Sequence, residues 1–203
     1  MKRTIQKLLT LLALFFLSLS VCAQSDSEIA KDQLNKMKNS FILVRLKTDS
    51  LKIHTLEKDG YKEEAEKVKK DLYNENRETI LSFSKTFDFC PVYFFYSNSS
   101  DQIRKGNLIG NVFDYELNLV KKELLSSQTF FTAEFGKTKN LGIHGLILMD
   151  NFFVPLKSPF PFYQRQYVFF SMVKQSKATI AKRLNKRLTE QYKTWNNPEW
   201  GFK

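Results

Sequence analysis

Three groups of residues hold most of the chemical potential of this chain. Ser97, Asn98, Ser99, Ser100 and Asp101 follow an apolar run at 90–96, and at a strand-to-helix junction they would present hydroxyls, an amide and backbone N–H groups to an anion or polar ligand. The same residues serve equally well as a strand exit and helix cap. His144 stands in Gly142-Ile143-His144-Gly145. Its imidazole suits proton transfer, and flanking glycines permit close backbone approach to a ligand. Glu134, Asp150 and Asp114 are available as partners, and the alternative is a structural histidine at a strand entrance. Lys182, Arg183, Lys186, Arg187 and Lys193 form the third group. They would hold lipid head groups, an acidic glycan or an acidic protein, or merely solvate the outside of a packed helix.

Other chemistry is excluded by missing patterns. The two histidines, His54 and His144, lie far apart, and neither His-Glu-x-x-His nor paired Cys-x-x-Cys occurs, so no local zinc site is encoded. Seven glycines include no Gly-x-x-x-x-Gly-Lys-Ser/Thr, no Gly-x-Gly-x-x-Gly and no Gly-x-Ser-x-Gly, which argues against phosphate-loop, dinucleotide and α/β-hydrolase sites. No catalytic set, metal or cofactor is implied. The leading expectation is a non-catalytic binding or envelope-associated domain with an unidentified protein or envelope component as partner. One alternative is an enzyme using residues 97–101 with His144, and another is an anionic-surface binder acting through the basic helix. Nucleic acid is a weak candidate, because export separates a protein from it.

Export is read from the N-terminus. Lys2, Arg3 and Lys7 precede an apolar stretch at 8–19, and Val21-Cys22-Ala23 offers small residues for cleavage, the pattern of a secretory signal over residues 1–23. The periplasm or the exterior is the expected location. Leu19-Ser20-Val21-Cys22 resembles a bacterial lipobox, but Val21 stands where Gly, Ala or Ser is wanted, so lipid anchoring at Cys22 is the secondary reading. Residues 24–203 then form one α/β domain with no further membrane span. Removing the signal lowers the formal charge from +11 to +8, and residues 174–203 hold eight basic side chains against two acidic ones. Cys90 becomes the sole cysteine, and its place at the start of an apolar run favours burial as a small hydrophobe.

Elements to position these residues follow from periodicity. Ser25 and Glu28 match a capping box, with Ile29, Ala30, Leu34 and Met37 continuing a helix to about Lys38. Residues 41–46 (FILVRL) read as a strand. Helical spacing then runs from Ser50, interrupted at Asp59-Gly60, to Phe87, with Glu63–Lys67 and Glu66–Lys70 as supporting pairs. Residues 92–96 are the second strand, making a βαβ unit with parallel neighbours and a right-handed crossover. Ser99-Ser100-Asp101 would cap a short helix ended by Gly106. Residues 108–125 fit either a helix or a short strand near Val112 followed by a loop, and Gly110-Asn111 favours the second.

Residues 129–135 read as a strand. Residues 146–149 and 152–156 read as a hairpin turning at Asp150-Asn151, with Pro155 marking an edge. Pro159 to Tyr163 must be extended, and with Phe152, Phe153, Tyr167, Phe169 and Phe170 it offers aromatic area suited to a protein partner or a sugar. A final amphipathic helix spans about 172–195 with Val173, Ile180, Ala181, Leu184, Leu188, Tyr192 and Trp195 inward. The expected fold is a mixed sheet of about five strands with a βαβ unit, a C-terminal β-hairpin and a terminal amphipathic helix. This order resembles a thioredoxin-like arrangement with one extra strand, and the absence of Cys-x-x-Cys leaves that resemblance without redox chemistry.

Overall fold

The computed structural model describes residues 26–125, 129–138, 142–169 and 173–197. The expected signal segment, Cys22 and the Ser25 cap lie outside these residues. Helix α1 (Asp26–Lys38) places Asp26 and Glu28 in its first turn and Lys36 and Lys38 in its last, matching the helix dipole at both ends. Strand β1 (Ile42–Leu46) follows, then α2 (Ser50–Lys58) and α3 (Lys62–Thr86). Gly60, at φ 84°, makes the break between these two helices, since the left-handed region costs glycine nothing. Lys69 joins them by reaching Glu57 at 2.8 Å and Glu66 at 2.7 Å, in place of the two expected pairs within α3.

Strand β2 (Val92–Tyr96) runs parallel to β1, with Ile42 opposite Val92 and Leu46 opposite Tyr96. A 3-10 turn (Ser97–Ser99) and a one-turn helix α4 (Ser100–Arg104) lead away from it. Residues 105–125 then fold back as an irregular cover. Phe113 exchanges two 2.8 Å backbone bonds with Phe94 and bridges Leu119, so it protects the outer edge of β2. Strand β3 (Phe131–Lys137) lies parallel to β1 on its other side, and β4 (His144–Met149) and β5 (Tyr163–Arg165) add antiparallel. The sheet order is β2-β1-β3-β4-β5. A separate two-stranded ribbon, β6 (Val168–Phe169) and β7 (Val173–Lys174), precedes helix α5 (Lys177–Asn196).

Strand alternation assigns each side chain to a layer. Ile42, Val44, Leu46, Val92, Phe94, Phe131, Ala133, Leu146 and Leu148 face α1, α3 and α5, which contribute Leu34, Met37, Ile80, Phe83, Ile180, Leu184 and Leu188. The opposite face carries Leu43 and Phe95, covered by Ile103, Leu108, Val112, Val120 and Leu125. Phe83, Phe94 and Phe95 are wholly buried.

Three boundaries differ from expectation for physical reasons. Residues 152–156 give only a bridge between Pro155 and Met149. Asp150 Oδ1 accepts the Phe152 and Val154 N–H groups, and the positive φ falls on Phe153, whose ring stacks on Phe95 at 5.9 Å. The hairpins are β3–β4 and β4–β5 instead. Helix α5 starts at Lys177, later than expected, where Ser176 Oγ accepts the Thr179 N–H at 3.3 Å. Tyr163, read as extended loop, opens β5.

Candidate functional site

Ser97, Asn98, Ser99 and Asp101 sit at the C-terminal ends of the parallel strands β1 and β2. Ser97 Oγ accepts the Thr48 N–H at 3.1 Å and lies 2.7 Å from Thr48 Oγ1, so its hydroxyl ties the two strand exits together. Ser100 Oγ donates to the Ser97 carbonyl. Ser99 occupies the N-cap position of α4 without a side-chain capping bond, and Asp101 is exposed beside Arg104 at 3.5 Å. Asn98 and Ser97 share a shallow hollow of about 510 Å³ with Thr48, Asp49, Ser50, Leu51 and Lys52. These groups hold a turn, and none is a base poised beside a nucleophile.

His144 opens β4 and is exposed. Strands β1 and β3 lie between β2 and β4, so three inter-strand steps of ~4.8 Å put Ser97 and His144 about 14 Å apart. That exceeds reach through one water, and the structure does not bring the two together. The carboxylates considered as partners are committed elsewhere. Glu134 pairs with Arg45 at 3.1 Å, Asp150 closes the 150–154 turn, and Asp114 accepts the Glu116 and Asn118 N–H groups at 2.9 Å. The glycine beside His144 makes room for the protein itself. A Cβ at Gly145 would lie 2.5 Å from the Gln164 carbonyl and 2.5 Å from the Tyr163 ring, and the Tyr163 hydroxyl donates to the His144 carbonyl at 2.9 Å.

Cys90 is buried, and burial pushes its thiol up to about 12, against a smaller opposing pull from Lys38. It is therefore packed and unreactive at neutral pH. Among the described residues no cluster of three or more His, Cys, Asp or Glu is arranged to hold a metal, and no helix is long and apolar enough to cross a membrane.

Lys182, Arg183, Lys186, Arg187 and Lys193 are all exposed on α5. Glu190, 3.6 Å from Lys186, is the one carboxylate paired with them among the described residues. Lys177, in contrast, turns inward at the start of α5 and donates to Thr79 Oγ1 at 2.8 Å and to the Glu75 carbonyl and carboxylate at 3.2 and 3.3 Å. It belongs to the core, where desolvation lowers its pKa against the attraction of Glu75.

Arg187 has a second environment. Its Nη1 donates to the Tyr163 carbonyl at 2.7 Å, and it lines a groove of about 370 Å³ with Pro159, Phe162, Tyr163, Arg165 and Tyr167. Arg165 lies 5.4 Å over the Tyr167 ring. The aromatic loop noted in the sequence and the middle of the basic helix therefore meet here. Arg165 was missed as a site residue because β5 has no sequence signature and its pairing with β4 is non-local.

No family model, curated protein or solved structure matches this chain. The thioredoxin-like likeness accordingly rests on element order alone.

Proposed function

We propose that this chain is an exported, non-catalytic binding domain of the cell envelope that recognises an anionic component. The observation that carries the reading is the group of exposed basic side chains on α5, with Arg165 exposed on β5. Lys182, Arg183, Arg187, Lys193 and Arg165 have no carboxylate within 4 Å among the described residues, which leaves them available to an external anion. The N-terminal signal pattern supports export, and the enzyme reading lacks a constellation, because Ser97 and His144 lie apart and Glu134, Asp150 and Asp114 are held in other contacts.

The test uses the chain lacking residues 1–23 and an immobilised anionic polymer. Retention should fall steeply with salt and disappear when Lys182, Lys186 and Lys193 are reversed to Glu. Retention unchanged by the reversal counts against the proposal.

A further inference from the structure

Among the described helices α5 has the most one-sided charge, with exposed Lys182, Arg183, Lys186, Arg187 and Lys193 against the single carboxylate of Glu190. The others mix their signs: α3 sets Glu63, Glu64 and Glu66 beside Lys67, Lys69 and Lys70, and α1 sets Asp26, Glu28 and Asp32 beside Lys31 and Lys36. A turn of about 100° per residue puts Lys182, Lys193 and Lys186 within ~40° of one another over about 16 Å of axis, with Arg183 about 100° round from Lys182. Ile180, Ala181, Leu184 and Leu188 enter the core on the other side. Arg187 stands at the rim, where it spends a donor on the Tyr163 carbonyl. No exposed side chain of α5 is apolar.

We propose that this face of α5 rests on a bilayer surface of anionic lipid head groups. The inference rests on the anion-binding reading above and names its partner. Lys182, Arg183, Lys186 and Lys193 spread their charge across the helix as well as along it. A single polyanion chain laid lengthwise follows the row from Lys182 to Lys193 and leaves Arg183 aside, whereas a plane lying between the two rows meets all four. A protein partner needs an apolar centre with aromatic anchors, and this face has none. A small anion needs walls, which the convex outside of a helix does not supply. Lysine suits mobile head groups, because a hydrated point charge on a flexible stem imposes no fixed geometry. With no apolar side chain to enter the acyl layer, the contact is peripheral and salt-sensitive, each cation adding a modest increment that fades within a Debye length. Glu190 lies in the same sector, ~80° round from Lys182, and 3.6 Å from Lys186, so it opposes the attraction.

The experiment uses the chain lacking residues 1–23, so that the apolar stretch at 8–19 cannot insert by itself. Its probes are vesicles of phosphatidylcholine alone, vesicles of phosphatidylcholine mixed with phosphatidylglycerol, and soluble polygalacturonate as a single anionic chain. The expected result is sedimentation with the mixed vesicles and not with the neutral ones. Lys182→Gln, Arg183→Gln, Lys186→Gln and Lys193→Gln should each weaken it about five-fold. Glu190→Gln should strengthen it, and Lys67→Gln on the mixed face of α3 should leave it unchanged. Circular dichroism and thermal melting check that every variant remains folded. Equal binding to neutral vesicles overturns the proposal, as does vesicle binding that all the α5 variants retain. A loss at Lys67 as large as at Lys186 shows that net charge alone is read, which overturns it too. Tighter binding of polygalacturonate than of vesicles, or losses at the three lysines with none at Arg183, assigns the face to a single chain and overturns the bilayer, although the anion-binding reading then survives. Failure to bind vesicles and polygalacturonate alike removes both readings.

Discussion

Single side chains in this protein are decided by what they touch after folding. Cys90 was legible, because a cysteine opening an apolar run belongs inside. Its thiol, raised to about 12 chiefly by desolvation, should resist maleimide labelling at pH 7.5 in the folded chain and react within minutes in urea, as mass spectrometry would show. Glu75 was not legible, because the sequence shows only another carboxylate on a charged helix. Burial pushes its acid upward, but the Lys47 hydrogen bond and the Lys177 charge outweigh that and hold it below the ordinary 4.5. A carboxylate lowered by folding contributes stability that is full above the unfolded value and lost as pH falls through the folded one. Glu75→Gln should therefore cost about 1–3 kcal/mol at pH 7 and progressively less below pH ~4.5. Urea midpoints at pH 7 and pH 3 measure both, and a deficit that is the same at the two pH values would refute the assignment.

At the scale of elements, apolar periodicity recovered β1, β2, β3, β4 and the βαβ unit, since each buries its own pattern, while Asp59-Gly60 marked the α2–α3 break. Strand β5 escaped because three residues, Tyr163-Gln164-Arg165, carry no alternation and acquire strand geometry from β4. The candidate site was divided in the same way. The basic stripe on α5 could be read from helical spacing, whereas the groove required knowing which strand lies under it. Gly145 illustrates how a correct signal was assigned the wrong visitor: close approach does occur, by Tyr163. Gly145→Ala should push the ring off the strand, costing roughly 1–3 kcal/mol. A thermal melt would detect the loss, and a tyrosine side-chain NMR shift would locate it. An unchanged melting temperature would show that the backbone can yield there.

Over the whole molecule, one long-range clasp joins the end of the crossover to the last helix. Asn185 Oδ1 accepts the Asp88 and Phe89 N–H groups at 3.1 and 2.9 Å, and its amide donates to Asp88 Oδ1 at 2.7 Å. Asn185→Ala should lower global stability by about 1–2 kcal/mol without altering the denaturant m-value, because the change weakens one cooperative unit without reshaping it. A second unfolding transition would show that α5 detaches independently.

The late position of α5 also sets an order of events. Ile180, Ala181, Leu184 and Leu188 complete the main core, yet they are synthesised after every strand of the five-stranded sheet. Until they emerge, Val44, Phe94 and Leu148 lack part of their cover, so the growing chain has no complete layer to collapse onto. A ribosome-bound or translocating intermediate of this protein would remain open and threadable to nearly its final turn. For a chain proposed to be exported, that delay keeps it competent to pass a narrow channel before it locks.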